Sequence, residues 1–443
     1  MIKFTLFFLS LSLLILLHEF GHYITARWFK ARVDKFYLFF DFLFPFPNIL
    51  KFSLFKKKKG DTEYGIGWFP FGGYVDIAGM MGDPDDKLNK APEPHEFRGK
   101  KPWQRLIILA GGILMNFILA IVIYSMVSFA YGEKYLKLKD AKYGLACDSL
   151  LLEAGMRDGD KIIAVDGRSV EEENVNRAGA GILLDQIQVI EVDRQGQRVE
   201  VPISSEFEKD VLKGDIKGFF SPLFPFVVDS VMPGSPAHKA NLQQGDSLVS
   251  INGQNLGYFQ HFQRHLQLNK SKNIRLGIFR NGIADTIDVK LSSEGKLGIF
   301  PKSDTNYLNY TSVEYNFFEA WARGAGRTWG ALRDYIKQFR LLFTKEGASK
   351  VGGFATIAGI YPSEWDWQSF WNITALLSVI LAFMNLLPIP VLDGGYILFV
   401  LWEMVTGKKV SDKFMQRALT IGMYIVLGLL IFANGNDIIR AFN

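Results

Sequence analysis

A charged run that contains two histidines stands at the end of an apolar segment near the start of this chain. The segment from Phe4 to Leu17 has no charged residue, and His18-Glu19-Phe20-Gly21-His22 follows it directly. Two histidines four positions apart lie one turn apart on one helix face, so both imidazoles can bind one metal ion. The glutamate beside the first histidine is placed to act as a general base. Because an ionisable cluster inside a bilayer is costly unless it is paired or bound, the run predicts a functional site.

A third metal ligand is expected from another apolar segment, since a catalytic zinc usually takes three protein ligands and a water. The four histidines outside the run, namely His95, His238, His261 and His265, lie outside the apolar segments. Residues 369–401 contain one charged residue, Asp393, and it follows two prolines and precedes two glycines. These residues predict a helix break, and non-helical backbone at membrane depth is tolerated only where protein buries it or where it lines a cavity. Asp393 is therefore the expected third ligand.

Each motif has an ordinary alternative when it is taken alone. H-E-x-x-H also occurs on the surfaces of soluble helices, and an Asp-Gly-Gly run is more often a turn. The pair is much harder to obtain by accident, because each motif is isolated inside its own apolar segment. The two motifs together favour a metal site.

The two motifs resemble the signature of the site-2 protease family of intramembrane zinc metalloproteases. The matching residues are His18, Glu19, His22, Asn385, Pro388, Pro390, Leu392, Asp393 and Gly394. The resemblance implies that the two histidines and Asp393 bind Zn²⁺, while Glu19 activates the bound water. It also implies that Asn385 contacts the scissile peptide or its oxyanion; a helix cap or a satisfied core amide is the alternative for this residue.

The stretch from Tyr64 to Val75 resembles the membrane-associated β-structure of the same family. It is too rich in glycine for a helix and too apolar for a solvated loop. We interpret it as a hairpin or edge strand that dips into the membrane beside the metal, where an extended substrate could add as a strand. An ordinary surface hairpin is the alternative. The expected substrate-binding residues are Gly65, Gly67, Trp68, Phe69, Gly72, Gly73, Asn385, Pro388 and Pro390.

Four apolar segments are long enough to be membrane spans, at about residues 4–29, 106–130, 369–401 and 418–433. The second contains Gly111, Gly112 and Asn116, which are suited to close helix packing. A signal peptide is the alternative for the first segment, but the polar cluster follows its apolar core directly. The net charge of +5 gives no case for nucleic-acid binding, and the single cysteine, Cys147, excludes an intrachain disulfide.

The region 137–303 contains an internal repeat. Residues 154–162 align with residues 240–248, and Asp166-Gly167 matches Asn252-Gly253 at the same offset. The second copy follows Pro233-Gly234-Ser235-Pro236-Ala237 and resembles the PDZ domains of bacterial envelope proteases; the first copy lacks that run. A tandem PDZ pair in this position resembles the regulator-of-sigma-E type of site-2 protease. Contact with a peptide or protein through these domains is a further expectation.

The predicted fold is an α-helical polytopic membrane core of about four transmembrane helices with a membrane-associated β-hairpin, plus two PDZ domains of mixed, β-rich structure. The expected parts are 1–136 (membrane core), 137–216 and 217–303 (PDZ domains), 304–367 (surface helix and linker) and 368–443 (membrane core). Within the fourth part, residues 313–343 have an amphipathic basic pattern that predicts a helix on the membrane surface, tying the PDZ pair to the core. A helix packed on a PDZ domain is the alternative.

Lysine-rich loops predict the orientation of the chain. The loop between the third and fourth segments carries Lys408, Lys409, Lys413 and Arg417, and the loop between the first and second is also lysine-rich. The positive-inside rule makes both loops cytoplasmic, which places both termini and the PDZ pair outside. The resemblance implies the bacterial inner membrane, with these parts in the periplasm.

The resemblance implies hydrolysis of a peptide bond within single-span membrane proteins, such as anti-sigma factors or remnant signal peptides, with the PDZ pair screening substrates by size. One alternative is a membrane-anchored zincin that cuts soluble proteins, although such enzymes usually take a glutamate from a soluble helix as third ligand. The other is a PDZ membrane scaffold with a structural metal site, although structural zinc usually has four protein ligands.

Overall fold

The computed structural model describes residues 1–43, 46, 49–70, 72–80, 92–204, 206–214 and 218–442, without the side chain of Asp412. Phe71 lies outside the described residues, and so does most of the segment 83–96, which its proline, aspartate and lysine content predicts to be an exposed linker.

The helices, numbered in chain order, are α1 (Ile2–Trp28), α2 (Pro102–Tyr131), α3 (Ser149–Glu153), α4 (Val175–Leu184), α5 (Phe207–Lys213), α6 (Pro236–Lys239), α7 (Phe259–Leu268), α8 (Phe317–Phe339), α9 (Lys345–Lys350), α10 (Phe354–Ile360), α11 (Trp367–Leu386), α12 (Asp393–Thr406) and α13 (Asp412–Phe442). Short 3₁₀ turns lie at Phe97–Gly99, Leu138–Asp140, Asp304–Asn306 and Arg340–Phe343.

The strands, numbered in the same way, are β1 (Val33–Leu38), β2 (Ser53–Lys59), β3 (Thr62–Gly67), β4 (Tyr74–Ile77), β5 (Glu133–Tyr135), β6 (Leu145–Cys147), β7 (Lys161–Val165), β8 (Arg168–Ser169), β9 (Val189–Arg194), β10 (Gln197–Pro202), β11 (Phe220–Pro222), β12 (Val228–Val231), β13 (Ser247–Ile251), β14 (Gln254–Asn255), β15 (Asn273–Arg280), β16 (Ile283–Lys290), β17 (Ile299–Pro301) and β18 (Thr311–Val313).

The chain divides into two units. The first comprises Met1–Gly132 and Glu314–Asn443, and the second comprises Glu133–Val313. The second unit is wider than the predicted 137–303, because β5 pairs antiparallel with β18 and so holds the two ends of the unit together.

Among the described residues, four helices are long and apolar enough to cross a bilayer: Ile2–Trp28, Pro102–Tyr131, Trp367–Leu386 and Lys413–Phe442. The predicted number of spans is confirmed. The third span is shorter than the predicted 369–401, since α11 ends at Leu386 before the two prolines and a separate helix, α12, begins at Asp393. The fourth is longer than predicted.

Helix α2 is the common partner within the first unit, where it packs against α1, α8, α11 and α12. Its approach to α1 is close enough to need glycine on both sides. A Cβ added to Gly21 would lie 2.2 Å from the carbonyl oxygen of Gly111, and a Cβ added to Gly111 would lie 2.5 Å from that of Gly21. The small residues in these apolar segments therefore let the two backbones meet.

A four-stranded sheet of order β2-β3-β1-β4 lies against the end of α1. β1 runs parallel to β3, whereas the β1–β4 and β2–β3 pairs are antiparallel. One buried cluster contains Ala26 of α1, Val33 of β1, Ile77 of β4, Ile108 of α2 and Val400 of α12. The sheet is thereby held against the helices that carry the histidine motif near one end of the chain and Asp393 near the other.

The amphipathic pattern at 313–343 forms α8, which is shorter than predicted and belongs to the first unit. Its start is fixed by a capping box between Asn316 and Glu319. A Cβ on Gly324 would lie 2.1 Å from the Ser125 hydroxyl, so the helix sits directly on α2. Arg327 stacks over the Tyr124 ring at 4.4 Å and donates a hydrogen bond to Asn372 Oδ1 at 2.7 Å. These contacts tie α8 to the helices α2 and α11.

The sequence repeat is also a structural repeat. The elements β7-β8-α4-β9-β10 recur in the same order as β13-β14-α7-β15-β16, and the two sheets have the same strand order. In the first copy Arg194 donates to buried Asp160 at 2.6 Å, and in the second Arg280 donates to buried Asp246 at 2.7 Å. Each copy has its own hydrophobic core. The repeated Gly-Asp dipeptide, at residues 159–160 and 245–246, thus supplies the buried aspartate of an equivalent ion pair in each copy.

Candidate metal centre

Three side chains from the two ends of the chain converge in the first unit. The Nε2 atoms of His18 and His22 each lie 3.3 Å from Oδ2 of Asp393, and they lie 3.4 Å from one another. The side chains are 12%, 8% and 15% exposed respectively. Their potential ligand atoms all lie within 4.8 Å of one another. The helical spacing of the histidines and the break after α11 produce this convergence together.

The loop between α11 and α12 is built to present Asp393. The aspartate is the first residue of α12, where the partial positive charge of the helix terminus favours a carboxylate. A Cβ on Gly394 would lie 2.3 Å from the carbonyl oxygen of Leu387, and one on Gly395 would lie 2.5 Å from that of Ile389. Both glycines are therefore required for the tight return of the chain. Val391 has a φ of 93°, an uncommon conformation for a β-branched residue.

Helix α2 supports both imidazoles from behind. Nδ1 of His22 lies 2.9 Å from the carbonyl oxygen of Ile108, so Nδ1 carries the proton and donates, leaving the Nε2 lone pair directed at the cluster. Nδ1 of His18 lies 3.1 Å from the side-chain amide of Asn116. Gly112 supplies the space, since a Cβ there would lie 2.4 Å from His22 Nε2 and 2.7 Å from His18 Cε1.

The residues fit a divalent metal ion. Asp393 Oδ2 is buried without a hydrogen-bond donor among the described residues, although both imidazole nitrogens point at it. The buried Oδ1 of Asn116 also has no donor among them. Rotating that amide would let Oδ1 accept the proton of His18 Nδ1, which leaves His18 Nε2 free to coordinate. A donor set of two imidazoles and one carboxylate, with a fourth position open, is typical of catalytic zinc.

Glu19 lies beside this cluster and against the sheet. Its carboxylate faces the backbone of Val75 in β4. A Cβ on Gly73 would lie 2.8 Å from Ile15 Cγ2 and 3.3 Å from Glu19 Cγ, so the chain entering β4 contacts α1 directly. β4 has β1 as its one partner in the sheet, and its other edge is unpaired among the described residues. Glu19 therefore lies next to an edge of the sheet that has no strand partner among the described residues.

The other glycines of the stretch 64–75 have packing roles. Gly65 and Gly67 lie in β3, which is inside the sheet, so β3 does not form the edge strand expected for this stretch. A Cβ on Gly65 would lie 2.3 Å from the Tyr37 ring, and one on Gly67 would lie 2.1 Å from the carbonyl oxygen of Phe40. Gly72, with a φ of 154°, makes room for the Phe40 ring. Within this stretch the edge of the sheet is formed by the start of β4, at Tyr74 and Val75, because β3 pairs on both sides.

The two aromatic residues of the stretch hold the neighbouring loop. The Trp68 indole donates to the carbonyl oxygen of Leu50 at 2.8 Å and stacks on Phe52, with ring centroids 5.5 Å apart. Phe69 exchanges backbone hydrogen bonds with Phe40. In the described residues these contacts bind the loop after β1, not the histidine cluster.

The remaining predicted residues lie around the loop that carries Asp393. Asn385 occupies the last turn of α11, is half-buried, and makes no side-chain hydrogen bond with a described residue. Pro388 is exposed. Pro390 packs against α13, because a Cβ on Gly422 would lie 1.7 Å from the Pro390 carbonyl oxygen. Pro390 thus fixes the loop, whereas the Asn385 amide is free to bind a ligand.

Sequence reasoning missed the supporting role of α2 in this site. The isolated amide of Asn116 inside an uncharged segment was a usable signal, because a buried amide needs partners. The ion pair between Arg105 and Glu403, at 2.6 Å, joins α2 to α12 and was not predicted. Glu403 stands alone after an otherwise uncharged stretch, and this isolation was the signal available for it.

Comparisons with known proteins agree with this geometry. The model of Peptidase family M50 matches residues 6–429. The chain is 29% identical to the regulator of sigma-E protease RseP of Escherichia coli over 98% of each chain. It is 30% identical to the protease RseP of Yersinia pestis, again over 98% of each chain. A candidate zinc metalloprotease of Neisseria meningitidis is 28% identical over 98% of each chain.

Proposed function

Because the chain belongs to peptidase family M50, the site-2 protease family of membrane metalloproteases, we propose that it hydrolyses a peptide bond within the membrane-spanning segment of single-span proteins. The observation that carries this proposal is the convergence of His18 and His22, on one apolar helix, with Asp393, between two others. A water-facing peptidase has no need to build its ligand set from membrane-spanning helices.

In the proposed mechanism His18, His22 and Asp393 hold Zn²⁺. Bound there, zinc would supply a water of lowered pKa, about 7 in zinc hydrolases, and would polarise the scissile carbonyl. Glu19 accepts the proton of the attacking water and delivers it to the nitrogen of the leaving amine. Its position beside the cluster and against the backbone of Val75 supports this role. Asn385, whose amide has no partner among the described residues, is proposed to donate to the oxygen of the scissile peptide.

The edge of β4 that has no strand partner among the described residues is the proposed docking site for substrate. A transmembrane helix must unwind before its carbonyl can be attacked, and an edge strand stabilises the extended form through backbone hydrogen bonds. Tyr74 begins this strand, and Gly73 directly before it lies beside Glu19, so a peptide added here would pass the general base. Gly72 would affect substrate binding only indirectly, through the path of the backbone that leads into β4.

The two repeats are proposed to be PDZ domains that screen substrates for size. The shared element order and the equivalent ion pairs support a common fold for the two copies. We propose that the protein lies in the bacterial inner membrane with lysine-rich loops in the cytoplasm, and with the repeats and both termini in the periplasm. The names of the RseP relatives make membrane-spanning anti-sigma factors, together with remnant signal peptides, the first substrates to test.

The decisive experiment compares the parent chain with a Glu19→Gln variant on a purified single-span reporter in detergent, with cleavage sites mapped by mass spectrometry. We expect cleavage inside the apolar segment by the parent chain, and none by the variant, at unchanged zinc content. Glu364→Gln, which changes an exposed glutamate outside the site, is the matched control and should cleave normally. Full activity of the Glu19→Gln variant would contradict the role of Glu19 as general base. Cleavage confined to soluble substrates would favour a membrane-anchored zincin.

A further inference from the structure

Strand β2 has an unusual distribution of side chains. It forms the outer edge of the sheet of the first unit, and from Leu54 onward every residue is exposed, on both faces. Three large apolar residues lie at or directly before its start, with exposures of 51% for Phe52, which precedes the strand, 67% for Leu54 and 55% for Phe55. Four consecutive lysines, Lys56 to Lys59, complete it. A soluble sheet edge is not expected to expose three such apolar side chains, so this strand faces another medium.

The strand register gives the level of each lysine along α1. Lys56, Gly65, Tyr37 and Tyr74 form one row across the sheet. The neighbour of Tyr74, Gly73, contacts Glu19, so this row lies at the level of the active site.

The next row lies one helical turn further along α1. Lys57 pairs with Tyr64, whose hydroxyl lies 2.7 Å from that of Tyr23.

The end of the strand reaches the end of the apolar helix. Lys59 pairs with Thr62, whose hydroxyl donates to the carbonyl oxygen of Val33, a residue that packs with Ala26 in the last turns of α1. The three residue steps from Lys56 to Lys59 advance about 10 Å, and the seven residue steps from Glu19 to Ala26 also advance about 10 Å. The lysines therefore run out to the level at which α1 leaves the hydrocarbon, and Leu54 and Phe55 lie deeper.

The chemistry of this strand matches that of one lipid leaflet. Its apolar residues can lie among acyl chains while the lysine stems carry their ammonium groups up to the phosphates. In the part of the chain that the structure describes, none of the four lysines forms an ion pair with a carboxylate. Trp28, exposed at the end of α1, is placed as an interfacial aromatic residue at the same level.

We propose that β2 is a binding site for anionic phospholipid headgroups. Alternate lysines point to opposite faces of the strand, so Lys56 and Lys58 bind phosphates on one side, and Lys57 and Lys59 bind them on the other. The apolar residues at the start of the strand contact the acyl chains. Because β2, β3, β1 and β4 form one sheet, lipid bound at β2 fixes the level at which β4 lies beside Glu19. This site is separate from the proposed substrate edge and does not depend on the reaction.

The test uses the full chain in lipid nanodiscs, with Cys147→Ala and Leu54→Cys so that one fluorophore marks the strand. Quenching is measured with phosphatidylglycerol or phosphatidylcholine, each carrying the same nitroxide on its acyl chain. At low ionic strength we expect the quenching to show that phosphatidylglycerol is enriched around β2 by about fivefold or more relative to phosphatidylcholine. The enrichment should fall towards unity near 1 M salt, where the Debye length is about 3 Å.

Replacing all four lysines, as K56Q/K57Q/K58Q/K59Q, should equalise the two lipids. The matched control, K408Q/K409Q/K413Q, removes exposed lysines from the loop after α12 and from the first turn of α13, and should leave the enrichment unchanged. Elution volume and zinc content show whether the quadruple variant has folded. If it has not folded, the salt dependence of the enrichment in the parent protein tests the proposal. Equal quenching by the two lipids in the parent chain, or enrichment that persists without the lysines or in high salt, would overturn the proposal.

Discussion

The Oδ2 atom of Asp393 lies 3.3 Å from Nε2 of His22, although these residues belong to opposite ends of the chain. The helix between them in sequence, α2, is what makes the meeting possible. The carbonyl oxygen of Ile108 in α2 accepts a hydrogen bond from His22 Nδ1, and Arg105 of α2 forms an ion pair with Glu403 of α12. One helix thus sets the position of both halves of the candidate metal centre.

Removing a ligand should remove the metal. Asp393→Ala leaves two imidazoles without their carboxylate, and His22→Ala leaves one imidazole, so purified variants are expected to hold little zinc by elemental analysis. Glu19→Gln should keep its zinc, because Glu19 is proposed as the base and not as a ligand. His238→Ala, an exposed histidine in the second unit, is the control. Undiminished zinc in Asp393→Ala would show that the convergence is not a metal site.

Gly112→Ala should weaken the site without touching a ligand. The added methyl group would lie 2.4 Å from His22 Nε2 and must displace one of the imidazoles. We expect zinc affinity to fall by about tenfold or more, measured by competition with a chelator. Gly428→Ala is a matched control in a membrane helix, since a Cβ there meets no atom within 4 Å. Equal zinc affinity in both variants would contradict the close packing of α2 on the imidazoles.

The ion pair between Arg105 and Glu403 should be costly to break from one side. Both side chains are mostly buried, at 9% and 13% exposure, so Arg105→Met leaves an uncompensated carboxylate and is expected to destabilise the chain by about 3–5 kcal/mol. Arg105→Met combined with Glu403→Leu should recover much of this loss. A double-mutant cycle on unfolding in detergent measures the coupling free energy, and additive effects would rule out the pairing.

Acid should loosen the contact between the two repeats. Burial by itself raises the pKa of Asp158, but hydrogen bonds from His261, Arg264 and the backbone N–H of Cys147 outweigh it and lower the pKa to about 2. A carboxyl whose pKa is lower in the folded state stabilises it above the unfolded pKa, and the contribution, about 2 kcal/mol, is lost as the pH falls from about 4 to about 2.

Asp158→Asn tests this pH dependence. The variant should show faster hydrogen exchange than the parent chain in peptides around β6 and α7 near neutral pH, and the difference should shrink as the parent is acidified towards about pH 2. Asp229→Asn, at an exposed aspartate of the same unit, should have no such effect. A difference that stays constant with pH would mean that the charge of Asp158 is irrelevant.

Local patterns predicted much of this protein correctly. The four apolar segments became four helices long enough to span a bilayer, because length and composition alone decide that property. The repeat in 154–162 and 240–248 marked two copies of one fold, because each copy needs the same buried aspartate for its arginine. The stretch 64–75 contains most of the inner strand β3 and the start of the edge strand β4, and the sequence did not separate them, since the pairing of β3 with β1 on its other side is not a local property.

Residue types and their spacing were enough to predict the groups of the candidate site: two histidines at helical spacing, a glutamate beside them and one aspartate in a broken apolar segment. Three features became visible only in the folded chain: the backbone that supports the imidazoles, the sheet edge that lies beside Glu19, and the positions of the β2 lysines along α1. Side-chain type and helical period are local properties, which is why the first group could be predicted. Close backbone approach, such as that of Gly21 to Gly111, exists only after distant segments have packed together.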